Sequence, residues 1–290
     1  MDSEILVILP PAQAAHAEQV RELFAEWEAR LSRFRADSDL SRLNASAGRP
    51  IETRDPLTHV LRRALRAAAA TGGVFDPTLG RDLRDAGYAQ SFQHLGAAAE
   101  ARKPGERISS WRDVRIGALG VVSVPFDLSI DLGGIAKGMA VDAALNALQA
   151  EGVDYALVSA GGDLAVRGTL PGGRPWPVSI SLAQRDMTVT LAGGALATSS
   201  TQKRSWQTEA GPMHHLIDPR TRRPSASGLV RATVHAPTCQ AAEVAAKTAL
   251  ILGLEDGRRF LDRHGLAGVL STPDVSHTVG AWPAERAQAA

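Results

Sequence analysis

The order of helical and extended segments predicts an α+β fold in which antiparallel-rich sheets are packed by helices. Helical periodicity dominates the first half of the 290-residue chain, and hairpin-like pairs of β-rich segments fill the second. The two kinds of segment do not alternate as a regular βαβ series would. The apolar run EILVIL (4–9) predicts a buried strand, and residues 12–32 a helix whose apolar positions are Val20, Leu23, Phe24, Trp27 and Leu31. SRFRADSDLSRLN (32–44) reads as a turn and a short helix. Asp55 and Pro56 open another helix as N-cap and first helical residue, and Gly72-Gly73 closes it. In VFDPTLG (74–80) the proline biases Asp76 toward extended backbone, and 81–110 reads as loop with a short helix. After 121–124, DLGGIAKGMAVDAALNAL (131–148) enters a helix that runs to about Gln149, before Gly152. YALVSAGGDLAVRG (155–168) is two strands broken by Gly161-Gly162-Asp163. WPVSISL alternates strictly through Val178, Ile180 and Leu182, and MTVTLAGGALATSS continues the extended pattern. VRATVHAP (230–237) is a further strand, QAAEVAAKTALILG a helix ended by Gly253, and a last helix and the strand LAGVL follow. With no fixed-period repeat and no low-complexity linker, a single domain over 1–280 is expected, with AWPAERAQAA (281–290) as a C-terminal tail.

Composition narrows the function. Hydrophobic content of 44% and charged content of 22% are those of a soluble globular protein. A formal net charge of +1 gives no electrostatic case for nucleic acid. The opening MDSEILVILP lacks the features of a signal peptide, and no run approaches transmembrane length, so a cytoplasmic protein without a membrane span is expected. Cys239 is the single cysteine, which excludes an internal disulfide and argues against a thiolate metal cluster.

The most informative segment is DLGGIAKG. Its lysine precedes a glycine with no Ser/Thr after it, so it is not a Walker loop, and it lacks the three-glycine dinucleotide fingerprint. Gly133 and Gly134 still bare the main chain where a helix begins, and free N–H groups there attract anions. Asp131 could accept a hydrogen bond from a ligand or cap the helix, and the glycines are equally explained by close helix–sheet packing. Gly161-Gly162 beside Asp163 offers a second bared stretch, alternatively a plain turn. The hydroxyls of ATSS (197–200) end a strand, and in HHLIDP (214–219) two adjacent histidines on a strand face opposite ways. No H-E-x-x-H, C-x-x-C or G-x-S-x-G occurs.

Taken together and in order, LSRFRADSDLSRLN, GVFDPTLG, DLGGIAKGMAVD, ALVSAGGDLAVRG, ALATSS, HHLIDPRTRRP and TVHAPTCQAAEVAAKTALILG resemble the ApbE family of FAD:protein FMN transferases, over roughly residues 31–270. The resemblance implies a T-fold-like domain that binds FAD. It implies transfer of FMN from FAD to a Ser or Thr hydroxyl of an acceptor flavoprotein, with AMP released. It places Phe34, Val74, Phe75, Asp76, Asp131, Gly133, Gly134 and Lys137 at the cofactor, with Gly161 and Gly162 as the second bared stretch. Thr198, Ser199, His215 and Ile217 fall near the pyrophosphate, and Met1 matches a methionine at the start of the family pattern. His215 is the candidate for proton handling, with Asp163 as the second catalytic candidate.

The same resemblance implies a magnesium ion held by an Asp, a Thr four residues on, and the main chain at the position of Gly134. Here those two side-chain positions carry Glu243 and Lys247. Glu replaces Asp as an oxygen ligand, but an ammonium cannot replace a hydroxyl beside Mg²⁺. Two readings follow: an ordinary i,i+4 Glu–Lys helix pair, or a Lys247 that meets the pyrophosphate charge itself. Water in place of the acceptor hydroxyl would make the protein an FAD pyrophosphatase, and loss of the metal site would leave a non-catalytic flavin binder. Arg222 stands where the family pattern commonly has glycine, so a positive φ there is expected to carry strain.

Overall fold

A computed structural model describes residues 4–95, 101–209 and 211–285; Met1 lies outside them. The described chain falls into two compact units: Ala25–Ala136 with Thr201–Ser225, and Lys137–Ser200 with the described parts of Ser3–Phe24 and Ala226–Ala290.

The second unit is organised by a seven-stranded sheet. Its order is Ile5–Ile8, Ala156–Ala160, Asp163–Arg167, Gly194–Ser200, Arg231–Ala236, Ala267–Ser271 and Ser276–Val279. Every neighbouring pair is antiparallel. Ala156–Ala160 and Ala267–Ser271 are buried at every position, the signature of a sheet covered on both faces. One cover is the hairpin Trp176–Ser181 with Asp186–Leu191, whose Trp176, Val178, Ile180, Val189 and Leu191 join Leu157, Leu164, Val166 and Leu196 in one apolar cluster. The alternation read from Val178, Ile180 and Leu182 is therefore a one-sided strand facing the sheet. The helix Cys239–Leu252 packs against Gly194–Ser200 and Arg231–Ala236 and ends at Gly253, whose φ of 86° suits glycine.

Ile5–Ile8 departs from expectation. It is an edge strand paired on one side only, and Leu6 and Ile8 stay exposed. An apolar run shows that a strand is favoured but not how many faces it buries. At the other end of the chain, Ala284 O accepts from Thr190 N–H at 3.1 Å and Glu285 pairs with Arg185, so Ala284 and Glu285 lie along the strand Asp186–Leu191.

The first unit is helical, with small sheets. Leu57–Ala70 buries Leu57, Val60, Leu61, Ala64, Ala67 and Ala68 at helical spacing. Asp55 Oδ1 accepts from His59 N–H at 3.0 Å, so the residue read as the N-cap does bind the first turn. Asp39–Ala45 follows its N-cap Ser38, and Gly80–Asp85 is the short helix within 81–110. A hairpin of Ser205–Thr208 with Gly211–His214 places Trp206 against Tyr88, Leu79, Leu83 and Ile217. Arg222 has the positive φ expected to be costly, 58°. Its guanidinium is anchored on Asp82 at 2.7 Å and on Gly105 O at 2.7 Å. Asp82 is buried, which raises its carboxyl pKa, with Arg222 acting in the opposite direction. The strained backbone thus delivers a counter-ion that a glycine could not supply.

Candidate functional site

The assigned residues fall in two sets, one in each unit. In the first unit the centre is Asp131. Its main-chain N–H donates to Pro77 O at 2.8 Å, and its Oδ1 accepts from Gly133 N–H at 2.9 Å. Its Oδ2 meets Arg33 Nε at 2.6 Å, with only 6% of the Arg33 side chain and 13% of the Asp131 side chain exposed. Arg33, the ion-pair partner of Asp131, is a residue that sequence reasoning passed over. Its guanidinium lies 4.1 Å from the Phe34 ring centroid and 4.6 Å from that of Tyr88, and Nη1 donates to Tyr88 O at 2.8 Å. Tyr88 stacks in turn on Trp206, centroids 5.3 Å apart. Nη2 of Arg33 is buried without an acceptor, an unmade bond that has an energetic cost unless a ligand makes it. Arg84 adds to the cationic character here: burial first, then the charges of Arg33 and Arg81, pull its guanidinium pKa down.

The VFD segment holds a second network in the same unit. Asp76 Oδ1 caps Thr78 N–H at 2.7 Å and Oδ2 meets Arg107 at 3.0 Å. The Phe75 ring is core, 1% exposed, while Val74 is half-buried. Ile217 is buried against Trp206 and Leu83 and pairs with Pro224. His214 ends the strand Gly211–His214 and His215 follows it, so the two do not share a strand as the sequence reading assumed. His215 Nδ1 lies 3.4 Å from Arg204 O, and His214 Nε2 lies 3.1 Å from Ser225 O.

His214 also accepts from Leu216 N–H at Nδ1, 3.2 Å, which fixes the neutral tautomer with the proton on Nε2. Burial holds its pKa below the ordinary 6.5. The unfolded chain then takes up a proton that the native state refuses, so stability falls as pH drops below about 6.5. Thermal melts between pH 7.5 and 5.5 check this. The wild-type slope should flatten in His214→Gln, and an unchanged slope would assign it elsewhere.

In the second unit the centre is Lys137. Its Nζ meets Asp163 Oδ2 at 2.9 Å and also Glu243 Oε1, with side-chain exposures of 16%, 7% and 6% for Lys137, Asp163 and Glu243. Burial disfavours the charged ammonium, but the charges of Asp163 and Glu243 outweigh it and hold Lys137 above the usual lysine range. The remaining carboxylate oxygens are also bonded: Glu243 Oε2 to Gly138 N–H at 2.8 Å, Asp163 Oδ1 to Thr198 N–H at 3.0 Å. Thr198 Oγ1 lies 2.9 Å from Thr233 Oγ1, and Ser199 is the next residue on the strand.

Two helices build this cluster reciprocally. Glu243, on Cys239–Leu252, binds the first turn of Ala136–Ala150, and Asp142, on Ala136–Ala150, accepts from Cys239 N–H at 2.8 Å and Gln240 N–H at 2.9 Å. They approach so closely that a Cβ on Gly138 would lie 2.7 Å from the Cys239 carbonyl. Burial, with the nearby charge of Asp163, pushes the Cys239 thiol far up, so it is no nucleophile. Gly161 and Gly162 turn between their strands at φ 62° and 97°.

A magnesium ion finds a poor donor set here. Both oxygens of Glu243 and both of Asp163 already accept N–H bonds, an ammonium lies between the two carboxylates, and Lys247 stands where the hydroxyl is expected. Among the described residues no group of three or more His, Cys, Asp or Glu could hold a metal. These residues do not fit a divalent cation.

Fold and motifs together place the chain among flavin-transferase-like α+β proteins, and comparison with known proteins makes the class specific. The ApbE family model matches residues 1–270, and the chain belongs to that family. An FAD:protein FMN transferase of Salmonella typhimurium is 30% identical over 248 residues, 82% of this chain and 71% of the relative. One from Treponema pallidum is 30% identical over 269 residues, 84% and 74% of the two chains. The crystal structure of the ApbE protein from Thermotoga maritima shares the fold at TM-score 0.84 and 24% identity, covering 96% of this chain and 93% of the other. The apo flavinyl transferase ApbE of Pseudomonas stutzeri does so at TM-score 0.80 and 22% identity, covering 96% and 95%. Among the described residues no helix is long and apolar enough to cross a membrane.

Proposed function

We propose that this protein binds FAD and transfers its FMN portion to a Ser or Thr hydroxyl of an acceptor protein, releasing AMP. The observation that carries the reading is the match of residues 1–270 to one family whose curated relatives are FAD:protein FMN transferases. Supporting it, Asp131 pairs with Arg33, whose guanidinium lies against the exposed Phe34 ring, and Arg84 adds a second cation nearby, surroundings that suit a flat, anionic ligand. In this reading Phe34, Val74, Asp76, Asp131 and the main chain of Gly133, Gly134 and Phe75 receive the flavin end. Thr198, Ser199, His215 and Ile217 lie along the diphosphate, with Gly161 and Gly162 as bared main chain.

The transfer is a phosphoryl displacement, governed by positioning and charge neutralisation. The acceptor oxygen forms a bond to the phosphorus of the FMN moiety, the anhydride P–O bond breaks, AMP leaves with the bonding pair, and the hydroxyl proton passes to a base. His215 is the proposed base. Asp163, with both oxygens engaged by N–H donors, acts as the counter-ion of Lys137 and not in proton transfer.

Incubation with FAD, with and without a Ser/Thr-containing acceptor, followed by chromatography tests the reading. It expects AMP in equal amount to flavin that stays on the denatured acceptor. Free FMN with AMP would make the protein a pyrophosphatase, and recovery of intact FAD alone would make it a binder.

A further inference from the structure

We propose that this chain holds its dinucleotide without a divalent cation, and that the Lys137 ammonium donates to the diphosphate at that place. The inference rests on the flavin-dinucleotide reading above and concerns only how the diphosphate charge is met. An ammonium has three donors. Those of Lys137 go to Asp163 Oδ2 at 2.9 Å and to Glu243 Oε1, leaving one N–H on a side chain that keeps 16% of its surface exposed. That third N–H is the one the proposal assigns to a phosphate oxygen, which a lysine binds as a point charge.

The arrangement is set by backbone and not by the accident of a flexible side chain. Gly138 brings the helix Ala136–Ala150 against Cys239 closely enough that any Cβ would collide with main chain, so Lys137 and Glu243 are held in register. A cation taking the oxygens of Glu243 would have to displace the ammonium and the Gly138 N–H bond of 2.8 Å. Mg²⁺ asks for a nearly octahedral shell of oxygens, and here the next turn of the helix Cys239–Leu252 offers Lys247 instead of a hydroxyl.

Mn²⁺, followed by electron paramagnetic resonance, is the probe, added to the purified wild-type protein with and without FAD. The expected result is no saturable Mn²⁺ site in either case, and FAD affinity that changes by less than about twofold on adding EDTA. One Mn²⁺ per chain, or an FAD affinity that falls about tenfold or more in EDTA, would overturn the proposal. The double variant Glu243→Asp with Lys247→Thr should gain a Mn²⁺ site; its failure to do so would contradict the part assigned to those positions. Absence of FAD binding under every condition would instead remove the flavin reading, while the Mn²⁺ titration of the free protein would still decide the cation.

Discussion

Lys137→Met should lose about 3–5 kcal/mol of folding stability at pH 7, because it leaves two buried carboxylates facing each other without their shared cation. The side chains of Asp163 and Glu243 are only 7% and 6% exposed, so water cannot replace the ammonium. In the variant Glu243 loses the ammonium that lowers its carboxyl pKa while burial and the charge of Asp163 still raise it, so the native state binds a proton that the unfolded chain does not. Stability should therefore rise as pH falls from 7 toward 5, opposite to the trend expected from His214. Adding Glu243→Gln to Lys137→Met should recover part of the loss by removing one charge. Urea melts at pH 7 and pH 5 measure all of this. A loss below about 1 kcal/mol, the range of exposed ion pairs, would mean that the cluster is solvated.

Asp131→Ala should remove FAD retention and also destabilise the first unit by about 3 kcal/mol, since Arg33 is left as a buried guanidinium without its counter-ion. The two effects separate in a double variant. Replacing Arg33 by Met and Asp131 by Leu removes both charges, which should return most of the stability. FAD affinity should stay at least about tenfold weaker in that double variant, because the carboxylate and the unsatisfied Nη2 are both gone. Flavin fluorescence titration alongside thermal melts distinguishes the terms. If FAD affinity recovers together with the melt, the Asp131–Arg33 pair is structural and the flavin contacts lie elsewhere.

Much of the fold was legible because the chain punctuates itself with residues of strong local preference. Gly161-Gly162 separates two strands at positive φ, Gly253 ends a helix at positive φ, and Thr238 caps that helix by accepting from Ala241 N–H. The alternation of Val178, Ile180 and Leu182 defined a strand because one of its faces is buried in a single cluster. Shorter pairings left no trace: Ile51–Glu52, Arg115–Ile116 and Ile217–Asp218 are two residues each and offer no period to detect. The hairpin around Trp206 was missed because Met213 is the only other large apolar side chain on it, too few to show a period, and much of the tryptophan's burial comes from Leu79, Leu83 and Tyr88, far away in sequence.

The candidate site was legible in position and much less so in partnership. Asp131, Asp163, Glu243 and Lys137 stood out by motif order, yet Lys137 finds Glu243 across 106 residues, a distance no local pattern encodes. Arg33 was hidden for a different reason. A basic residue in a polar stretch ordinarily reads as a solvated side chain, and only the packing of Phe34 and Tyr88 against it reveals a buried one. Position along one helix points to Lys247, whereas the ammonium of Lys137 reaches Glu243 from the neighbouring helix.

Titration of the purified protein with FAD, in EDTA and followed by flavin fluorescence, tests the central claim most directly. The account predicts saturable binding of one FAD per chain, weakened at least about tenfold in Asp131→Asn. Fluorescence that stays linear in added FAD, with no flavin retained on gel filtration, would contradict it.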